Sequence, residues 1–248
     1  MGQPHMNACA GRLEGLFSIV SMLFTVQAFT VAAVAQPPEW SNEFWPEFDF
    51  FINLNQQSRF FAMYTATKSA DLGAYANGQA GLYYDYWMAR PLRKPLIGYF
   101  DPSRSKALML RVGYLLNRPK GNSGNATEHT ATVEINSRAQ LPANLLLSMR
   151  NRMDLGWAAG DPNHRYRNQL KLAWTFDAGR FQFAPYAHAE VFYEFKEGHW
   201  TRFRYAAGAE WYITKRYVLE GYYLRQNTWR DVPQFVNGLG IVFQVHLR

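Results

Sequence analysis

The sequence predicts an all-β chain folded as a transmembrane antiparallel up-and-down (meander) β-barrel, with twelve strands favoured over ten. Three observations predict it. Polar and apolar residues alternate with a period of two over unusually long stretches. Short turns trade places with longer polar loops. Aromatic residues make up 17% of the chain while charged residues make up 18%, below the roughly 25% usual for soluble domains. The clearest alternation runs from Asn144 to Trp157. Leu146, Ser148, Arg150, Arg152, Asp154 and Gly156 share one face; Leu145, Leu147, Met149, Met153, Leu155 and Trp157 share the other. An ordinary strand has about 5–6 residues. A tilted strand that crosses a bilayer needs about 9–11, with apolar residues outward and polar residues inward.

The 248 residues read as one domain, because no Pro/Ser-rich linker, charge run or low-complexity block divides them. Residues 1–35 read as a secretory signal. Arg12 precedes the apolar stretch Leu16–Val34, and Ala33, Val34 and Ala35 offer a small-x-small cleavage pattern before Gln36. A transmembrane anchor is the other reading of this stretch; the Ala-x-Ala end and the pair Pro37 and Pro38 favour cleavage. A short segment, 36–44, then leads into a barrel over 45–248. The single cysteine, Cys9, would leave with the signal, so the mature chain would hold neither a disulfide nor a thiolate metal site. No metal-ligand spacing or Gly-rich phosphate loop is present, and no cofactor or metal is expected. A net charge of +7 suits nucleic acid, but the signal and the placement of the charges on alternating strands argue against it.

The strands follow in order. Trp45–Leu54 sets Glu47, Asp49, Phe51 and Asn53 against Phe48, Phe50, Ile52 and Leu54. Arg59–Lys68 has less distinct faces. Gly81–Ala89 places Tyr83, Asp85 and Trp87 opposite Leu82, Tyr84 and Met88. Residues 90–106 are irregular, with three prolines. Ala107–Arg118 sets Arg111, Gly113 and Asn117 against Leu110, Val112, Tyr114 and Leu116. Glu128–Leu141 sets Glu134, Asn136 and Arg138 against Val133 and Ile135, and a tight turn at Pro142 and Ala143 enters the opening strand. The next strand carries Arg165, Arg167, Gln169 and Lys171 inward. Phe181–Lys196 carries His188, Glu190 and Glu194, and its successor carries Arg202, Arg204, Gly208 and Glu210. Tyr217–Asn227 is a strand by composition, without assigned faces. The last strand turns Leu239, Ile241, Phe243, Val245 and Leu247 outward. Short turns at 55–58, 142–143, 177–180 and 215–216 alternate with polar loops at 119–127, 158–164 and 228–234. This is the pattern of short turns on one rim of a membrane barrel and longer loops on the other. The segments number eleven, whereas single-chain bacterial barrels have even counts. A hidden strand is therefore expected before Trp45 or around Pro95–Phe100.

Gly113 with Tyr114, Glu134 to Arg138, Arg150-x-Arg152-x-Asp154, Glu190, and Gly221 with Tyr222, set along an aromatic meander, resemble a bacterial outer-membrane family catalogued as domain of unknown function 2490. The resemblance spans the chain from about Trp45 to its end. It implies a barrel in the outer membrane of a Gram-negative bacterium, reached by Sec-type export. Outer-membrane phospholipid, lipopolysaccharide and the barrel-assembly machinery are then the expected partners. It implies no reaction. The family's Arg-x-Arg-x-Glu row has Asp154 in place of Glu here, which keeps the charge. The insertion at 90–106 departs from the family, and the chain ends in Arg248 rather than the Phe of many such barrels.

The inward face defines the candidate site: Glu134, Arg138, Arg150, Arg152, Asp154, Arg165, Arg167, Glu190, Arg202, Arg204 and Glu210. Desolvated charges of both signs must pair, so an internal ion-pair network comes first and an anion path second. Arg165, Arg167, Arg202 and Arg204 should lie toward one rim, where a basic ring suits phosphate or another anion. A structural or narrow-pore role is expected, and no enzyme. One alternative is a lipid-modifying hydrolase, for which His188 and Ser148 are the nearest Ser/His candidates; His188 reads better as a satisfied lumen histidine. A soluble periplasmic ligand-binding barrel is the other alternative, and it requires apolar residues inside.

Overall fold

The computed structural model describes residues 39–69, 75–88, 106–119, 127–178, 181–229 and 233–247. They form β1 (Glu39–Asn53), β2 (Ser58–Ser69), β3 (Tyr75–Trp87), β4 (Leu108–Pro119), β5 (Glu128–Leu141), β6 (Leu145–Ala158), β7 (Asp161–Trp174), β8 (Phe176–Ala178), β9 (Phe181–Glu194), β10 (His199–Tyr212), β11 (Tyr217–Thr228) and β12 (Gln234–Leu247). All twelve belong to one sheet, which closes on itself. Eleven of the strands are long. The three-residue β8 carries on the line of β7 in the same register, pairing Phe176 with Phe183 where β7 had paired Ala173 with Tyr186.

Neighbours along the chain pair antiparallel, as a meander requires. The exception is the closing seam, where β1 runs parallel to β12 from Glu39 opposite Gln234 to Ile52 opposite Leu247. The cause is arithmetic. A meander with an odd number of long strands begins and ends in the same direction, so closure forces one parallel pair. Among the described residues closure leaves no long strand with an unpaired edge, and only the short β8 has a single neighbour, β9. Of the two places expected to hide a strand, the residues before Trp45 are the first part of β1 itself, which starts at Glu39. Pro95–Phe100 lies outside the described residues.

The predicted separation of loop lengths is corrected in one place. The polar run 158–164 is no loop: β6 continues to Ala158 and β7 resumes at Asp161. Ala159 (φ 51°) and Gly160 (φ 88°) alone make the turn. Both φ values are positive, as the tight turn of a two-residue hairpin requires. The polar side chains of 161–165 had masked the strand, because a strand that reaches past the apolar band has no outward apolar residues left to show its period.

Within each strand the period-two rule holds. Leu82 (59% exposed) and Leu239 (62%) point out, while Asp85 (0%) and Glu190 (1%) point in. The inner surface is also shaped by aromatic rings laid over glycines on the adjacent strand. Tyr83 sits opposite Gly113, and Tyr222 sits opposite Gly240. A Cβ on Gly113 or Gly240 would fall inside the ring facing it. These contacts give physical content to the Gly/Tyr positions of the sequence, since only glycine lets the ring lie flat on the wall. Gly240→Val should therefore cost about 1–3 kcal/mol, read as a lower urea midpoint of the detergent-refolded barrel.

The candidate functional site: a charged lumen

The lumen is built by cross-strand register. Arg59 of β2 faces Asp85 of β3, Asp85 faces Arg111 of β4, Arg111 faces Glu134 of β5, and Glu134 faces Arg152 of β6. Because directly opposed side chains on one face of a sheet are nearest neighbours, this register makes a ladder of alternating sign. Arg59 Nε donates to Asp85 at 2.8 Å and Arg111 Nε donates to it at 2.6 Å. Glu134 bridges on, 3.9 Å from Arg111 and 4.0 Å from Arg152.

At β7 the alternation fails, because Arg152 faces Arg167. Two carboxylates relieve the clash of like charges. Asp154 accepts from Arg152 Nε and lies 3.7 Å from Arg167. Glu190 of β9 is the hub: Arg150 and Arg167 each approach it at 2.8 Å, and Arg204 of β10 lies at 3.6 Å. Toward the rim where β1 begins, Arg165 and Arg202 share Glu194 at 3.7 and 3.5 Å. Toward the other rim, Lys171 and the Tyr212 hydroxyl both donate to Glu210, at 2.8 and 2.6 Å.

The candidate residues thus come together. Ten of them stand in this network; Arg138 instead donates to the Lys106 carbonyl at 3.5 Å. Arg165, Arg167, Arg202 and Arg204 gather toward one end, as the spacing implied, and each has a carboxylate within 4 Å. Ser148 and His188 are not brought together: Ser148 lines a cavity of about 250 Å³ and His188 a separate one of about 910 Å³.

Three features escaped the sequence reading. Arg59 closes the ladder from a strand whose faces looked indistinct. The inward place of Lys171 was expected, but its pairing with Glu210 was not. Finally, Phe51, Phe61 and Tyr83 stack in a row with ring centroids 4.6 and 5.2 Å apart. The Arg59 guanidinium lies 4.2 Å from the Phe51 ring and that of Arg111 lies 4.4 Å from the Phe61 ring. Planar guanidinium on aromatic faces satisfies two desolvated cations without further carboxylates. The inward parity of Phe51 and Tyr83 was readable; that their rings would meet depended on register.

Among the described residues a larger cavity opens in the lumen toward the rim where β1 begins, and a smaller one toward the other rim. Phe51, Arg111, Arg150, Gln169, Lys171 and Glu220 line both, and so form the belt between them. Eleven strands make a wider tube than the eight that side chains just fill, and the ladder narrows it at mid-height.

Fold and site together define a closed β-barrel with an aliphatic and aromatic exterior around a salt-bridged charged interior. The chain belongs to the family described as protein of unknown function (DUF2490), whose model matches residues 85–237. That span begins at Asp85 and takes in every member of the ladder except Arg59; it leaves out β1 and β2. No curated protein matches the chain.

Proposed function

We propose that this protein is an integral outer-membrane β-barrel with a structural or narrow-pore role, its lumen constricted by the ion-paired ladder. One observation carries the reading, namely the polarity of the wall. Leucine, isoleucine, phenylalanine, tyrosine and tryptophan side chains stand exposed around the outside, while Asp85, Glu134, Glu190 and Glu210 are buried within. In water that arrangement forfeits the burial of its apolar surface. In a bilayer it is the required one. Strands of 12–15 residues suffice to cross, and the signal-like N-terminus supplies the route of export. Outer-membrane lipids and the assembly machinery are its partners on this reading.

The same arrangement counts against a water-soluble ligand-binding barrel, which needs the opposite polarity. The test has two arms. Membranes from expressing cells should release the protein only with detergent; recovery in detergent-free buffer contradicts the reading. In planar bilayers the purified barrel should give small conductance steps or none, because the belt of Arg111, Arg150, Lys171 and Glu220 narrows the path. Wide, steady conductance, or turnover of phospholipid or lipid A, contradicts it.

A further inference from the structure

The outer wall departs from its own pattern at one place. Asn151 and Asn168 fall on the outward parity of β6 and β7, beside Met149, Met153 and Leu170. They stand directly opposite each other, with Ile135 of β5 and Val191 of β9 as their outer neighbours. Each lies near the middle of a fourteen-residue strand. Near the middle of other strands the outward residues are Tyr64, Leu82, Val112 and Ile241, all exposed. An amide at mid-height on a lipid-facing wall is costly, because hydrocarbon offers it no hydrogen-bond partner. Asparagine within a membrane serves instead to join one protein surface to another.

The two side chains satisfy one another only in part. Asn151 Oδ1 accepts from Asn168 Nδ2 at 2.8 Å and from the Tyr166 hydroxyl at 2.6 Å. The Asn151 Nδ2 and the Asn168 Oδ1 take part in no side-chain hydrogen bond among the described residues. One amide donor and one amide acceptor are thus left over, side by side. The flanks differ in relief. On the β6 side stand Met149 and Met153. On the β9 side the wall is hollowed by exposed Ala187 and Ala189, with exposed Ala207 of β10 facing Ala187.

We propose that the outer face of β6, β7 and β9 is the interface through which two copies of this chain pair in the membrane. The pattern selects a second copy as the occupant. A half-turn about an axis along the barrel, in front of β7, turns the Asn151 Nδ2 of each copy toward the Asn168 Oδ1 of the other. The same half-turn lays the methionine flank of one copy against the alanine hollow of the other. Self-complementarity of this kind is what an isologous contact demands, whereas lipid tails supply neither donor nor acceptor. The pairing rests on the membrane reading, since water would satisfy both amides.

Cross-linking in lipid vesicles tests it. The sequence holds a single cysteine, Cys9, so the chain from Gln36 onward can carry one reporter thiol. Leu170→Cys, two residues from Asn168 on the same face, should give a disulfide-linked dimer on mild oxidation. Tyr64→Cys, on β2 across the barrel, should not. N151L/N168L should weaken association in dilute vesicles roughly tenfold, read by energy transfer between labelled copies. Leucine suits a lipid-facing position, so the urea midpoint of that variant should not fall. A chain that stays monomeric in vesicles overturns the proposal. So does equal cross-linking of L170C and Y64C, or unchanged association of N151L/N168L. If N151L/N168L does not refold, the comparison of L170C with Y64C decides the matter alone. A monomer leaves the extraction test untouched, whereas release in detergent-free buffer removes the membrane and, with it, the need to cover the amides.

Discussion

Replacing Glu190 by glutamine should destabilise the barrel by about 3–5 kcal/mol, the usual cost of removing one partner from a buried charge network. Glu190 is 1% exposed and is the only carboxylate within 4 Å of Arg150 or Arg204 among the described ion pairs. It also serves Arg167, which otherwise has Asp154 at 3.7 Å. Glutamine keeps the shape and one acceptor but leaves three guanidiniums mutually repelling in a poorly solvated tube. The compact form that resists detergent on a gel should be lost at a lower temperature, and the urea midpoint should fall. Lys196→Gln, on an exposed turn, should shift neither beyond about 0.5 kcal/mol.

The hub geometry adds a sharper expectation. Arg150→Gln leaves Glu190 with two arginines and should cost less than E190Q. Adding R167Q to E190Q should restore part of the loss, because it removes one of the stranded cations; a double-mutant cycle measures the coupling. If E190Q behaved like K196Q, the ladder would be no support of the fold.

These effects show which part of the site was legible. The inward row Arg150, Arg152 and Asp154 follows from parity alone, since side chains two apart share a face. So does the inward Glu190. That Arg150 meets Glu190, forty residues away, depends on the registers of β6, β7 and β9, and no local pattern encodes those. The parallel β1–β12 seam is hidden for a related reason: the pattern yields eleven long strands, and whether that odd number closes by one parallel pair or by a twelfth strand is a matter of long-range pairing. Arg59 was obscured because β2 mixes aromatic and polar residues on both faces: inward Phe61 and Met63 stack and pack within the lumen. The inverse error occurred at 158–164, where hydrophilic composition outweighed the period. Patterning carried the fold because a barrel wall repeats one simple rule. The site is made of long-range pairings, which repeat nothing.

The second large effect is expected on the other face of the same wall. Ile135, near the middle of β5, is 47% exposed and lies beside the inward Glu134 in sequence. In a bilayer, Ile135→Arg places a cation at about the depth of the hydrocarbon centre and should cost about 2–4 kcal/mol. Were the barrel bathed in water, the same substitution at an exposed site would stay within about 0.5 kcal/mol. Refolding into lipid vesicles, followed by urea titration, separates the two. The arginine cannot escape inward, because a one-residue slip would turn every side chain of β5 to the wrong face and break the Arg111–Glu134–Arg152 run. It can only reach along the strand toward an interface. A graded series therefore extends the test: the same change at Val133, one outward step away on β5, should cost about as much, while arginine at exposed Trp157, near the end of β6, should cost about 0–1 kcal/mol in charge penalty. A cost that rises from strand end to strand middle is the signature of a hydrocarbon slab around the barrel, and a flat profile would remove the membrane from the account while leaving the lumen as described.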